Sequence, residues 1–264
     1  MNRLQIHADL PVLGYATEIR DDGGRQIATM IGINEAALAE KPPYDLWSWK
    51  EQLNFGLSSP SDPERRISPR GPHVEESISG VEHSPLLHVV VHELNHLIDF
   101  MNSANKIRFT WPEAPGEEPY RVSIKHDAGS FGLLSWPAEY SFLSDNSDWP
   151  PSEISRRYPW LSRLCYYQCQ QPIPLSWMED IYAELGTTDF VTPYASTNSM
   201  DDFAEMMTVM TLLEQGMQFR IRGPEGKIFF DARESLRRPH FERKKEWIRE
   251  FLRRPDLKYR LDRP

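Results

Sequence analysis

The segment HVVVHELNHLIDF, residues 88–100, places three histidines in a run that is otherwise largely apolar. His88, His92 and His96 follow one another at steps of four, so on an α-helix they lie along one face, with neighbouring β-carbons about 5–6 Å apart. Glu93 comes directly after the middle histidine. A helix this apolar is expected to be buried, and buried charged groups need a partner or a metal ion. The segment therefore predicts a helix whose polar face is completed by groups from elsewhere in the chain.

The sequence HELNH fits the pattern H-E-x-x-H, which is typical of zinc peptidases. His92 and His96 can direct ring nitrogens at one Zn²⁺ at about 2.0–2.1 Å. Glu93 can then reach a water on that ion, whose pKa is lowered to about 7, and act as the general base. The other pair, His88 with His92, is followed by Val89 where a base is needed. His88 is therefore predicted to be a hydrogen-bonded or partly exposed neighbour.

Two histidines leave a tetrahedral zinc ion one protein ligand short, with a water in the remaining position. Glu205 lies one turn past Asp201 in a second predicted helix, and Glu139 is a rival further upstream. Glu205 is surrounded by apolar residues in the sequence, where an unpaired carboxylate would be costly to bury, and this favours it as the ligand. Asp99 lies one turn past His96. It is either an acceptor for the far nitrogen of a zinc-bound histidine or a surface carboxylate.

The segment HELNHLID, followed much later by TPYASTNSMDDFAE, resembles the gluzincin branch of the zincin metallopeptidases. The likeness extends to the catalytic domain of anthrax lethal factor and related bacterial zinc peptidases, and it covers these two motifs and little else of the chain. It implies that Glu205 is the third zinc ligand and that Tyr194 hydrogen-bonds the tetrahedral intermediate. A neutral tyrosine, with a pKa near 10, suits that role because it does not compete for zinc. An ordinary loop aromatic is the alternative for Tyr194.

The remaining patterns predict an α+β, zincin-like fold, with a small N-terminal mixed sheet, the HExxH helix beneath it and a mostly helical C-terminal half. Residues 3–33 read as strands that include a hairpin around DDGG. A short helix is expected from Asn34, a long loop over residues 56–84 because of its Ser, Pro and Gly content, and a strand in YRVSIKHD. Helices are predicted over residues 84–102 and in PAEYSFLSD, SEISRRYPWLSRLCYYQCQ, LSWMEDIYAEL, SMDDFAEMMTVMTLLEQG (with a capping box from Ser199 to Asp202) and RPHFERKKEWIREFLRRPD.

The chain of 264 residues is long enough to bury a sizeable core. We expect one domain over residues 1–264, made of a β-rich part with a long loop (1–83), a zinc-site core (84–216) and a basic helical segment (217–264). Residues 220–264 contain 15 basic and 8 acidic residues, whereas the whole chain has a net charge of −9. The basic segment is expected to dock on the acidic remainder, and a separate partner site is the alternative.

The amino-acid composition limits the classes of partner that this protein is expected to bind. A net charge of −9 argues against nucleic-acid binding, because a basic face supplies most of that affinity. No apolar run is long enough to span a bilayer, and no signal peptide is visible. The expected location is cytoplasmic, or exported without a cleaved signal. The two cysteines, Cys165 and Cys169, are read as free thiols.

Together these features predict a zinc peptidase with one Zn²⁺ ion, acting on protein or peptide substrates. One alternative is a non-catalytic zinc-binding regulatory or interaction module, in which His88 or His126 would supply a fourth ligand. Another is a bacterial effector or toxin protease with a narrow range of protein substrates.

Overall fold

The structure, a computed structural model, describes residues 3–7, 14–21, 26–34, 46–58, 67–78, 81–82, 86–110, 121–143, 152–166 and 172–257. These residues form a mixed α+β fold, as predicted, with small sheets. The strands are β1 (Arg3–His7), β2 (Gly14–Arg20), β3 (Gln26–Asn34), β4 (His73–Ile78), β5 (Val81–Glu82), β6 (Ile107–Thr110), β7 (Arg121–His126), β8 (Glu139–Leu143), β9 (Met217–Arg222) and β10 (Ile228–Asp231). The α-helices are α1 (Leu46–Leu53), α2 (Leu86–Asn102), α3 (Ser152–Arg157), α4 (Met178–Leu185), α5 (Ser199–Glu214), α6 (Ala232–Leu236) and α7 (Glu242–Arg253).

The N-terminal sheet has the order β1-β3-β2 and is mixed, as predicted. Strands β2 and β3 form the predicted antiparallel hairpin, and β1 pairs with β3 in parallel. Ile31 and Ile33 of β3 pack with Val89 and Leu97 of α2 in a small hydrophobic cluster. In the part of the sheet that the structure describes, β2 is an edge strand, and it lies against α2. The short helix predicted from Asn34, in NEAALAE, covers residues 34–40. Asn34 is the last residue of β3, and residues 35–40 lie outside the described residues.

A second sheet has the order β10-β9-β4-β5, and it corrects the prediction of an uninterrupted loop over residues 56–84. Strand β4 pairs along its whole length with β9, antiparallel. Neither strand was predicted, because strand stability depends on packing against a partner rather than on an intrinsic backbone preference. The partner here comes from the far end of the chain. The pairing matters for the site because it brings Glu76 of β4 next to α2.

The third sheet, β6-β7-β8, contains the predicted strand β7 and one segment that was predicted wrongly. PAEYSFLSD was expected to be helical, but residues Glu139–Leu143 form strand β8 on β7. Tyr and Phe favour strands, and the neighbouring β7 supplies the hydrogen-bonding partner. The long helix predicted to begin at Ser152 ends at Arg157, shortly before Pro159, because the residue before a proline is disfavoured in the helical region.

Helix α5 lies at the centre of the main hydrophobic core, which extends from Phe55 to Phe251 along the sequence. It is joined to α2 by a hydrogen bond from Asn95 Nδ2 to Thr208 Oγ1, 3.0 Å long. The basic C-terminal helix α7 packs on the same core, as predicted. Its Lys244 side chain is fully buried and its Nζ lies 2.6 Å from Asp202 Oδ1. The part of the basic segment that the structure describes, up to residue 257, is therefore packed on the core through α7.

Two further expectations concern cysteine chemistry and membranes. Cys165 is disulfide-bonded, so the prediction of a free thiol is wrong for this residue. Of the helices that the structure describes, none combines the length and the apolar character needed to cross a membrane.

Candidate metal centre

The centre of the site is formed by two buried histidines on α2, placed there by the predicted four-residue spacing. The Nε2 atoms of His92 and His96 face each other at 3.0 Å. Their rings meet edge to face, with centroids 4.6 Å apart. Both side chains lie on the face of α2 that packs against α5, so their nitrogens meet groups contributed by that second helix.

Asp201, in the first turn of α5, supplies a third donor atom. Its Oδ1 lies 3.2 Å from Nε2 of His96 and 3.4 Å from Nε2 of His92. A tetrahedral zinc ion with bonds of about 2.0–2.1 Å holds its ligand atoms about 3.3 Å apart. The two nitrogens and the oxygen therefore fit three corners of such a site. Among the described residues, this buried group of three is the one that could hold a metal ion.

Asn198 caps α5 and orients the Asp201 carboxylate. The Asn198 Oδ1 atom accepts hydrogen bonds from the backbone N–H groups of Met200 and Asp201, both at 2.9 Å. Its Nδ2 donates to Asp201 Oδ2 at 2.6 Å, which leaves Oδ1 for the histidines. The predicted capping box beginning at Ser199 is therefore displaced by one residue. An Asn before an acidic first turn was the available sequence signal.

Glu205, the predicted third ligand, lies behind His92 and contacts its other nitrogen. Its Oε1 is 2.7 Å from His92 Nδ1 and 3.1 Å from His88 Nε2, and its Oε2 accepts a 2.5 Å hydrogen bond from Thr192 Oγ1. A carboxylate on Nδ1 fixes the tautomer whose Nε2 lone pair points into the site. The structure thus places Asp201, rather than Glu205, with the two Nε2 atoms, and it places Glu205 at the other nitrogen of His92.

The orienting role considered for Asp99 is not seen. Asp99 is buried, and its two oxygens accept hydrogen bonds from the backbone N–H and the side chain of Asn105, at 2.8 and 2.6 Å. This closes the turn after α2. Burial raises the pKa of Asp99, and the bonds from Asn105 oppose that rise. His96 Nδ1 is buried and has no hydrogen-bond partner among the described residues.

The two remaining candidates lie outside the site. Glu139, the rival third ligand, is exposed on β8, with Oε2 3.8 Å from Lys125 Nζ. His126 is buried against Tyr140, and its Nδ1 lies 3.2 Å from Ser130 Oγ. His88, the other candidate for a fourth ligand, contacts carboxylates and not the group of three donors.

His88 connects the site to the second sheet. Its Nδ1 lies 2.7 Å from Glu76 Oε1, and Trp47 Nε1 donates to Glu76 Oε2 at 2.5 Å. Burial alone would lower the pKa of His88, but the charges of Glu76 and Glu205 raise it to about 10. A positively charged His88 therefore bridges the two buried carboxylates and offsets one of their two negative charges. Sequence reasoning missed Glu76 because its strand was predicted as loop.

The electrostatics of the three donors favour a bound cation. Burial would raise the pKa of Asp201, yet hydrogen bonds from His92 and His96 lower it to about 2. Burial would lower the pKa of His92, yet hydrogen bonds to Asp201 and Glu205 raise it to about 9. The pKa of Glu205 also falls, because His88 and His92 outweigh the effect of burial. These carboxylates keep their negative charge inside the protein, where protonated histidines, or a metal ion in place of the proton on His92, can balance it.

Glu93 is buried beside the three donors and next to the edge strand β2. Burial raises its pKa, while His92 and His96 act in the opposite direction. Its Oε2 has no hydrogen-bond partner in the described part of the chain. Gly14 of β2 passes so close that a β-carbon there would lie 2.9 Å from both Glu93 Oε1 and Val89 Cγ1. The glycine thus allows β2 to lie directly against the helix at Glu93.

Tyr194 lies beside His92, with ring centroids 5.6 Å apart. Its role towards a tetrahedral intermediate stays a prediction. Lys50 of α1 was not predicted, and its Nζ lies 3.9 Å from the centre of the Tyr194 ring. Burial lowers the pKa of Lys50, and the charges of Glu205 and Asp201 oppose that effect.

A scan against protein-family models found no matching family, and searches of curated proteins and of solved structures found no match. The functional argument therefore depends on the geometry and chemistry of the site.

Proposed function

We propose that this protein is a zincin-like, zinc-dependent peptidase whose ion is held by His92, His96 and Asp201. The observation that supports it is the convergence of three buried donor atoms at mutual distances of 3.0–3.4 Å, with a buried glutamate beside them. The sequence likeness to gluzincins supports the same activity. It would place Glu205 on the ion, whereas the contacts of Glu205 favour a role in holding His92.

Zinc in such a site lowers the pKa of a water molecule and polarises the carbonyl group that is to be cleaved. Glu93 takes the proton of the attacking water and delivers it to the leaving amine. Its raised pKa suits this exchange, because a carboxylate that readily holds a proton is the better base. Tyr194 donates its hydroxyl proton in a hydrogen bond to the developing oxyanion. Glu205 keeps the His92 proton on Nδ1 throughout.

Strand β2 offers a way to align the substrate. It is an edge strand of the described sheet, and it passes directly over Glu93 at Gly14. Edge strands bind extended peptides through main-chain hydrogen bonds. A peptide paired with β2 would therefore lie over the glutamate and the metal ligands.

A non-catalytic zinc module would need a fourth protein ligand, since structural zinc sites are usually closed. The described residues supply three donors. His88 and His126, the expected sources of a fourth, contact other groups. Three protein ligands suit a catalytic ion better than a structural one.

Glu93→Gln tests the proposal. The variant should keep one zinc ion per chain, measured by elemental analysis, and should lose peptide cleavage, measured by mass spectrometry of a proteome digest. The same digest with the wild-type protein and a chelator should also show no cleavage. Full activity in Glu93→Gln would show that Glu93 is not the base. An absence of bound zinc in the wild type would show that the three donors do not form a zinc site.

A further inference from the structure

Lys50 lies in a group of aromatic rings beside the metal centre. It is half-buried on α1, and its Nζ is 3.9 Å from the centre of the Tyr194 ring and 5.6 Å from those of Trp47 and Tyr166. Aromatic faces attract a cation, but they do not accept its three N–H groups as oxygen atoms do. The ring contacts hold the ammonium group in place and leave its hydrogen-bonding capacity for another group.

The nearby carboxylates are committed elsewhere. Glu51, adjacent in sequence, accepts hydrogen bonds from the hydroxyls of Tyr166 and Tyr182, at 2.7 and 2.8 Å. Glu205 accepts from Thr192 and contacts two histidines. Among the residues that the structure describes, none accepts a hydrogen bond from Lys50 Nζ. The ammonium group is thus a charged donor with no acceptor of its own, at the edge of the site.

The position of Lys50 relative to the metal ligands fits a short piece of substrate. The Tyr194 ring contacts both groups, since its centre lies 3.9 Å from Lys50 Nζ and 5.6 Å from the centre of the His92 ring. No more than about three residues of extended peptide, at roughly 3.3–3.6 Å per residue, span two contacts of this length. A substrate carboxylate that met Lys50 would therefore belong to a residue close to the bond cleaved at the metal.

We propose that Lys50 determines substrate specificity by binding a carboxylate of the residue that follows the scissile bond. This inference rests on the proposed peptidase function. The carboxylate is either the free C-terminus of a peptide or the side chain of Asp or Glu at that position.

The test uses the full chain loaded with zinc and two peptide libraries of the same sequences, one with free C-termini and one amidated. Cleavage products are identified by mass spectrometry. For a free C-terminus as ligand, we expect release of C-terminal residues from the first library and at least tenfold slower cleavage of the second. For an acidic side chain as ligand, both libraries should be cut before Asp or Glu.

Lys50→Met should abolish the preference, with at least a tenfold rise in KM for carboxylate-bearing peptides and little change for neutral ones. Lys50→Arg should retain part of it, and Lys125→Met, at an exposed lysine, should behave as the wild type. Equal zinc content in all variants separates a specificity defect from a damaged site. Cleavage without any carboxylate preference would overturn this inference and leave the peptidase intact, whereas a zinc-loaded wild type that cleaves neither library would overturn both.

Discussion

Asp201 and Glu205 lie one turn apart on α5 and contact opposite nitrogens of the same histidine. Asp201 Oδ1 faces Nε2 of both site histidines, whereas Glu205 Oε1 contacts Nδ1 of His92. The two carboxylates therefore make different contributions to metal affinity. One would be bonded to the ion, and the other would fix the orientation and tautomer of a ligand.

This difference predicts unequal effects of two matched substitutions. Glu205→Gln should weaken zinc binding by about 10–100-fold and keep one ion per chain. Asp201→Asn removes an anionic donor and should weaken zinc binding further, so that the ion is lost during dialysis. Zinc content and competition with a chromophoric chelator measure both effects, with the exposed Glu139→Gln as control. If Glu205→Gln weakened zinc binding more than Asp201→Asn, Glu205 would be the metal ligand.

The pKa of His92 gives the pH dependence of metal binding. Below its value of about 9, the metal-free His92 carries a proton that zinc must displace. The dissociation constant for zinc should therefore fall about tenfold for each pH unit as the pH rises towards 9, since each bound ion releases this proton. Chelator competition at several pH values measures the slope, and Glu93→Gln should share it. A dissociation constant that does not change with pH would contradict the pKa of His92.

For the individual residues of the site, the sequence was informative where the residues lie close together in the chain. The spacing of His92, Glu93 and His96 depends only on one helix, so their convergence could be predicted. The sequence could not predict which of Asp201 and Glu205 reaches the Nε2 atoms of the histidines. Both residues lie on one face of α5, and the angle between α2 and α5 decides which of them comes close. Lys50 comes from a segment that carries no motif and is brought to the site by packing.

Among the strands and helices, β2 lies directly against Glu93 because its residue Gly14 has no side chain. At Gly14, a β-carbon would approach Val89 Cγ1 and Glu93 Oε1 to 2.9 Å. The glutamate can rotate away, but the branched Val89 side chain is stiff. A larger residue must therefore displace either strand β2 or the Glu93 carboxylate.

Gly14→Val should lower kcat at least tenfold while zinc content stays the same, and it should cost about 1–3 kcal/mol of stability through overpacking. Peptidase kinetics and denaturant unfolding measure the two effects. Ile19→Thr, an exposed position on the same strand, is the control and should match the wild type in both. A Gly14→Val variant with normal kcat would show that β2 does not constrain Glu93.

The elements that could be predicted are those whose pattern is complete within one segment. Helices α2, α5 and α7 carry apolar residues at helical spacing, and the β2–β3 hairpin has a turn sequence between two strands. Strands β4, β8 and β9 were missed because their stability comes from partners that the local sequence does not contain. The error at β4 mattered most, since it concealed Glu76 and with it the role of His88.

Across the whole molecule, a buried ion pair connects the C-terminal helix to the helix that bears Asp201. Lys244 Nζ lies 2.6 and 2.7 Å from the Asp202 oxygens and donates to Asp189 O at 2.7 Å, and Trp136 Nε1 donates to Asp202 Oδ2 at 3.2 Å. Both members of the pair are fully buried. Asp202 is adjacent to Asp201, so α7 also supports the start of α5.

Lys244→Met should lower the free energy of unfolding by about 3–5 kcal/mol, because it leaves the Asp202 charge buried without a positive charge to offset it. Denaturant unfolding of the full chain measures the loss. Arg243→Met, at the exposed neighbouring position, should change stability little. The double variant Lys244→Met with Asp202→Asn should recover part of the loss, and an unchanged single variant would show that the pair is not coupled to folding.

Helix α2 packs against the N-terminal sheet on one face and against α5 on another. Val89 and Leu97 face the N-terminal sheet, His92 and His96 face α5, and Leu87 and Leu94 are among the exposed residues. A substitution on either packed side displaces side chains on the other, so the proposed chemistry and the packing of the core constrain the same seventeen residues. Over evolutionary time such a helix would tolerate exchange mainly at positions 87 and 94, and a peptidase built on it would adapt to new substrates through the strands and loops around it.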